Sequence, residues 1–369
     1  MPRLPQLPRF GALGLLLLLR LWQLLALAPL SYVCGRGARP RRLLTALAAL
    51  KWLALLALSP LLLQQSVALY DATNVKPSPL FRRIALATMA GDLGISLAML
   101  GSHIWQRRRL LQLINGLARL QKRTPLSRRA TLLLWGKLLL SLYELLCNEP
   151  FLRQNASHLP WLQLLAYGLQ LYVQHVSSVF GNGLFAGLLL ILAIMEQLEL
   201  QWQQLYKDEA QRLRLLHAEQ RLLRVCQDFV EVLQLGMFLL VIGNFINILA
   251  NMYAYMFYFV EQHGIPLTIS NYCAIVAIQL YAVILATYFC QLRHQRLRSL
   301  CLELSYSPPE LSLEQAVLPT PQLFWPLDTV KFCVLGLFNL DNGFWLFLVS
   351  YAANFIVIIL QFTLENMKR

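Results

Sequence analysis

Acidic residues are scarce in this 369-residue chain: 18 Asp and Glu stand against 32 Lys and Arg, and charged residues of all kinds make up only 14% of it. So little charge beside 57% hydrophobic residues, with a positive mean hydropathy, excludes an ordinary soluble globular protein. Catalytic equipment is missing too. The six histidines, His103, His158, His175, His217, His263 and His294, are scattered, none forms a His-x-x-x-His pair, and there is no Gly-rich phosphate loop. The seven cysteines show neither metal-ligand spacing nor a Cys-x-x-Cys pair. No enzyme, cofactor or metal site is expected.

What the chain has in quantity is long apolar runs, and these predict one all-α integral membrane domain. Seven segments qualify as spans: Leu43–Leu69, Ile84–Trp105, Thr131–Leu146, Leu162–Met195, Phe229–Val260, Leu267–Leu292 and Phe344–Phe362. The third is short for a bilayer. The net charge of +14 sits in loops between the spans, so it reads as positive-inside bias and excludes a nucleic-acid partner. Alternate loops are Arg-rich, as at Arg107–Arg109 with Arg119, Lys122, Arg123, Arg128 and Arg129, or at Arg293, Arg296 and Arg298. The intervening loops carry few basic residues, which puts the N-terminus in the cytoplasm and, after seven crossings, the C-terminus outside. The Asn155-Ala156-Ser157 sequon then lies on the outer side, where Asn155 is a candidate glycosylation site.

Four regions are expected along the chain. Residues 1–42 form a cytoplasmic segment whose apolar stretch Gly11–Ala28 resembles a signal-peptide core but carries Arg20 and ends at Pro29; a membrane-surface helix fits it better. Residues 43–304 hold spans one to six, with cytosolic helical extensions where no Gly or Pro occurs between Gly187 and Gly236 and a turn near Lys207–Gln211. Residues 305–343 contain the Pro-rich connector Ser305–Pro326 and a short cytoplasmic-side helix over Val330–Leu340. Residues 344–369 are the last span and a short extracellular tail.

That last span is uncharged over Phe344–Phe362 yet carries a polar stripe. Ser350, Asn354, Gln361 and Glu365 fall within an arc of about 60° on a helix of 3.6 residues per turn. One wet face suits a symmetric bundle around an aqueous pore; a polar seam packed against neighbouring helices suits it equally.

Asn354-Phe355, five apolar residues and Gln361-Phe362 resemble the C-terminal Thr-Tyr, five apolar, Gln-Phe signature of insect gustatory receptors, with Asn-Phe in place of Thr-Tyr. Gly336-Leu337-Phe338-Asn339-Leu340-Asp341 is similar to the family's Gly-Leu-Phe-x-Leu-Asn element, with Asp341 for Asn. The resemblance implies a tetramer around a central pore, a ligand-gated non-selective cation channel detecting small external tastants, bitter-type rather than sugar or carbon dioxide, in the plasma membrane of a chemosensory neuron. Its partners would be a small-molecule tastant, membrane lipid and further receptor chains in a homo- or heterotetramer. Gln361 and Phe362 would form the gate, with Ile358 and Asn354 continuing the pore face and Glu365 a candidate acidic ring. The ligand pocket would open outward among spans three to six, where Tyr143, Glu144, Tyr167, Gln170, Asn251, Tyr253, Tyr272 and Gln279 are candidates, and Asp92 in span two is a further candidate. An acid inside a span costs roughly 2.5–3.5 kcal/mol on insertion scales, so Asp92 must face protein or water. Either a ligand or a polar neighbour such as Ser96 satisfies it.

Two other classes stay open. A metabotropic seven-helix receptor has its N-terminus outside, and this chain lacks an Asp-Arg-Tyr triplet after the third span and an Asn-Pro-x-x-Tyr in the last. A small transporter calls for an internal repeat, and none stands out between the halves.

Overall fold

The structure, a computed structural model, describes residues 7–33, 37–73, 79–123, 126–147, 160–205, 209–261, 267–306 and 331–367. Helix dominates them: α1 (Leu7–Leu24), α2 (Arg42–Thr73), α3 (Pro79–Trp105), α4 (Arg107–Arg123), α5 (Arg128–Leu146), α6 (Trp161–Leu205), α7 (Glu209–Glu261), α8 (Leu267–Tyr306) and α9 (Asn342–Met367). Two short antiparallel hairpins complete them, β1 (Leu30–Val33) with β2 (Gly37–Pro40), and β3 (Cys333–Val334) with β4 (Phe338–Asn339).

Among the described residues, α2, α3, α6, α7, α8 and α9 are each long and apolar enough to cross a membrane. The chain is thus a multi-pass membrane protein. The expected third span is helical as α5, started by Ser127, whose hydroxyl accepts the Ala130 N–H. It carries Arg128, Arg129, Lys137 and Glu144 and falls short of the length and hydropathy of the other six.

The bundle is built around α6, which packs against α1, α2, α3, α4, α5, α7 and α8. Glycines make this crowding feasible: Gly187 and Gly236 lie against the rings of Phe229 and Phe180. As the missing helix breakers predict, α6 runs helical to Leu205 and α7 from Glu209, the latter beginning eight residues before its apolar span at His217. Arg293 of α8 ties this end to Glu199 of α6 at 2.6 Å.

The N-terminal stretch is part of the packed body. α1 lies on α5 and α6, and Trp22, 6% exposed, stacks on Phe180 with ring centroids 5.8 Å apart while its Nε1 donates to Val179 O. His103 donates from Nδ1 to Leu27 O at 2.7 Å and completes the aromatic cluster. The chain then reverses through Ala26, at φ 66°, into the β1–β2 hairpin. Asn115 of α4 grips that hairpin with both ends of its amide, accepting from Ala38 N at 2.7 Å and donating to Ala38 O at 3.0 Å. Gly37, at φ 82°, is required there, because a Cβ would sit 2.8 Å from the Asn115 Oδ1.

One expectation is corrected. Val330–Leu340 was expected to be a short helix, but its described part is the β3–β4 hairpin. Leu335 and Gly336 lie at φ 52° and 73°, which a right-handed helix does not admit, and Leu337 N–H closes the turn on Val334 O. Alternation drives the choice: Phe332, Val334 and Leu340 are buried at 0–1% exposure while Leu335 and Leu337 point out. The Pro-rich connector lies almost wholly outside the described residues, as does Asn155.

Candidate functional site: a polar cavity and the face of the last helix

A polar cavity opens between α3, α5, α6, α7 and α8, with about 20 Å³ for water centres, room for one or two water molecules. Asp92 and Ser96 reach it from α3, Glu144 from α5, Gln174, Ser177 and Ser178 from α6, Asn244 and Asn247 from α7, and Tyr272 and Gln279 from α8. Ten of its twelve lining residues are polar, inside helices chosen for apolarity, so each needs a partner.

Most of these partners come from the facing helices. Asn247 donates to Asp92 Oδ1 at 2.8 Å. Glu144 Oε2 accepts from Gln279 Nε2 at 2.7 Å and from Ser178 Oγ at 2.8 Å. Ser96 donates to Val173 O at 2.7 Å. Behind the cavity, Lys137, 5% exposed, donates from Nζ to Gln279 O at 2.9 Å, and Asn182 donates to Ser141 Oγ at 2.7 Å. Charges of both signs thus share one hydrogen-bonded network through Gln279.

Of the ligand candidates read from the sequence, the fold brings Asp92, Glu144, Tyr272 and Gln279 to this cavity. Tyr143, Tyr167, Gln170, Asn251 and Tyr253 do not line it. Tyr143, turned about 100° round α5 from Glu144, is 47% exposed, and Asn251 turns back along its own helix to Asn247 O. Sequence reasoning missed Lys137, Ser178 and Asn247. Lys137 had a signal: it stands one and two turns before Ser141 and Glu144, so all three share a face of α5.

The second region is α9. Only 11% of its apolar window is buried, against 89% for α6. It touches α7 and α8 through Leu348 and Ala352 and through Tyr351 beside Phe245; beyond Ala352 no described side chain is buried as far as Gln361. Ser350, Asn354, Ile358 and Gln361 are all exposed. Among the described residues of the stripe, Ser350, Asn354 and Gln361 are thus packed in no seam within one chain. The side chains of Phe362 and Glu365 lie outside the described residues.

The Gly336–Asp341 element holds the start of this helix. Gly336 makes the hairpin turn, the Phe338 ring stacks on Phe344 with centroids 4.3 Å apart, and Leu340 O accepts from Thr287 Oγ1 at 2.7 Å. Asp341 Oδ1 accepts the Phe344 N–H at 2.9 Å, a helix N-cap. Asp and Asn cap equally well, so the departure from the family's Asn changes nothing in this geometry. The Leu337 side chain is 66% exposed.

Comparison with known proteins gives this architecture its context. Residues 15–366 match the 7tm chemosensory receptor family. A Drosophila melanogaster protein named "Putative gustatory receptor 89a" is 55% identical over 331 residues, spanning 89% of this chain and 90% of its own. The fold is similar to that of the olfactory receptor OR5 of the insect Machilis hrabei, with a TM-score of 0.59 at 12% identity over 84% of this chain and 88% of that one. The same receptor in complex with eugenol gives a TM-score of 0.58 at 11% identity, over 82% and 88%. A match over nearly the whole length to a chemosensory-receptor family, together with a gustatory relative identical at more than half of the aligned positions, places this chain in the insect gustatory receptor family.

Proposed function

We propose that the chain is a ligand-gated, non-selective cation channel that detects small external chemicals of the bitter type, at the plasma membrane of a chemosensory neuron. Four copies surround an axis, each contributing α9, with α5 as the third of seven spans, the N-terminus inside and Asn155 outside and glycosylated. The observation that carries this reading is the exposure of α9: a helix apolar enough to span a bilayer yet barely packed on its own chain, with Ser350, Asn354 and Gln361 on one side. Four such faces turned inward give a water-accessible lining, and the apolar remainder meets neighbouring chains and lipid. The cavity under Asp92, Glu144, Tyr272 and Gln279 receives the ligand. It is narrow here, so a tastant must shift the surrounding helices, and its differential affinity for the wider state biases the gate.

The test is single-channel recording from the purified chain in lipid bilayers. Gln361→Ala and Asn354→Leu change unitary conductance or open probability, while Tyr143→Phe, away from cavity and stripe, leaves both unchanged. Unaltered currents in both α9 variants would remove α9 from the pore. Asp92→Asn and Gln279→Leu shift the concentration dependence of a tastant response without changing unitary conductance.

A further inference from the structure

A second, larger cavity of about 280 Å³ lies between α1, α4, α6 and α7, separate from the polar one. It approaches the size range of small-molecule pockets. Its walls are largely apolar: Leu15, Leu16, Leu18 and Leu19 on one side, Leu113 and Leu117 on another, and Gly183 and Gly187 of α6 at its back. The only polar side-chain atoms among its lining residues belong to Trp22 and Tyr32, and the Trp22 Nε1 is already committed to Val179 O. Water gains nothing in such a space, and an apolar occupant gains dispersion contacts on every side.

The rim has a definite charge. α4 carries no acidic residue, and Arg107, Arg108 and Arg109 at its start are exposed, as is Arg119 further along. Arg39, Arg41 and Arg42, on and just after β2, are exposed as well, and β2 packs on α4. Arg107 precedes the wall residues Leu110 and Ile114 by three and seven positions, so it stands on the cavity face of α4, about 4.5 Å along the axis from Leu110. Among the described residues none of these seven guanidinium groups has a carboxylate partner. A membrane protein with an apolar slot ending in unpaired arginines is matched by one kind of molecule: greasy along its length, anionic at one end, and supplied by the bilayer itself.

We propose that this cavity takes an acyl chain of an anionic glycerophospholipid whose phosphate-bearing head lies over the arginines at the start of α4. The lipid comes from the leaflet on the α4 side, which the charge asymmetry reads as the cytoplasmic one, where anionic lipids concentrate. Two independent features carry it, the walled apolar volume and the charge at its rim. Neither depends on where ions pass. Bound there, the lipid wedges α1 against α4 and completes the packing between α1 and α6.

The full-length chain is reconstituted in nanodiscs of phosphatidylcholine with one fifth phosphatidylserine, transferred to detergent, and its retained lipid is read by native mass spectrometry. The expected result is retained phosphatidylserine in clear excess over phosphatidylcholine. Arg107→Gln, Arg108→Gln and Arg109→Gln together remove that preference, by about fivefold for each arginine that contacts the head. Ala118→Phe fills the slot from α4 and Leu19→Phe from α1; either abolishes retention, and a variant with an unchanged unfolding temperature counts as folded. Two results overturn the proposal. One is equal retention of the two lipids by the unaltered chain. The other is phosphatidylserine that survives both phenylalanine variants and is lost only with the arginines, which marks surface attraction without a chain in the slot.

Discussion

The indole of Trp22 occupies the place where a side chain on Gly183 would begin: a Cβ built there falls 2.0 Å from the nearest ring atom. The obstacle is a ring held in place by its stacking on Phe180 and its hydrogen bond to Val179 O. Gly183→Ala therefore destabilises the protein by overpacking, by about 1–3 kcal/mol. Thermal unfolding of the purified chain in detergent checks it, and pairing the substitution with Trp22→Leu recovers part of the loss.

Asp341 gives a milder and more local prediction. Removing its carboxylate with Asp341→Ala leaves the Phe344 N–H without its cap and costs about 1 kcal/mol, whereas Asp341→Asn costs little. Hydrogen exchange at the first turn of α9 reports the difference, faster in the alanine variant alone.

The buried network around Gln279 makes a sharper one. Lys137→Met leaves the Glu144 carboxylate in an apolar bundle without the cation on its network, and removing one partner of a buried charge pair costs about 3–5 kcal/mol. Combining it with Glu144→Gln recovers most of that loss. A double-mutant cycle on unfolding temperatures measures the coupling, and additive effects would show that the two charges act separately.

Gly336 tests the corrected hairpin. At φ 73° with nothing near its missing Cβ, Gly336→Ala meets only backbone strain and costs about 1 kcal/mol. A right-handed helix at the same place would be stabilised by that exchange, so the sign of the change in unfolding temperature distinguishes the two.

The spans were legible because their signal is large: apolar runs bounded by arginine need no tertiary information. The polar stripe of α9 was legible for the same reason, since helical periodicity places Ser350, Asn354 and Gln361 together whatever surrounds them. The partners across the bundle were not legible. Asp92 had to find a donor, but that it would be Asn247, 155 residues away, depends on how α3 and α7 pack. The same holds for Ser178 and Glu144. The β3–β4 hairpin was missed because an apolar run this short carries helix and strand patterns alike, and Leu335 at positive φ is a conformation that leucine does not announce. The depth of α1 was hidden as well: Arg20 reads as a surface residue, and nothing local says that Trp22 is buried two positions later.

The last helix is pinned at its base, by the Asp341 cap, the Thr287–Leu340 link and the ring pair of Phe338 and Phe344, and again at Ala352. From there to Gln361 runs an arm of about 13 Å whose side chains are half-buried or exposed and none fully buried. Such an arm behaves as a lever with its fulcrum at Ala352: a tilt of roughly 20° sweeps the Gln361 tip sideways by about 5 Å while the base barely stirs. A modest rearrangement of α7 or α8 near the fulcrum is thus magnified at the tip, and the stiffness of the first three turns sets how much force the tip can feel.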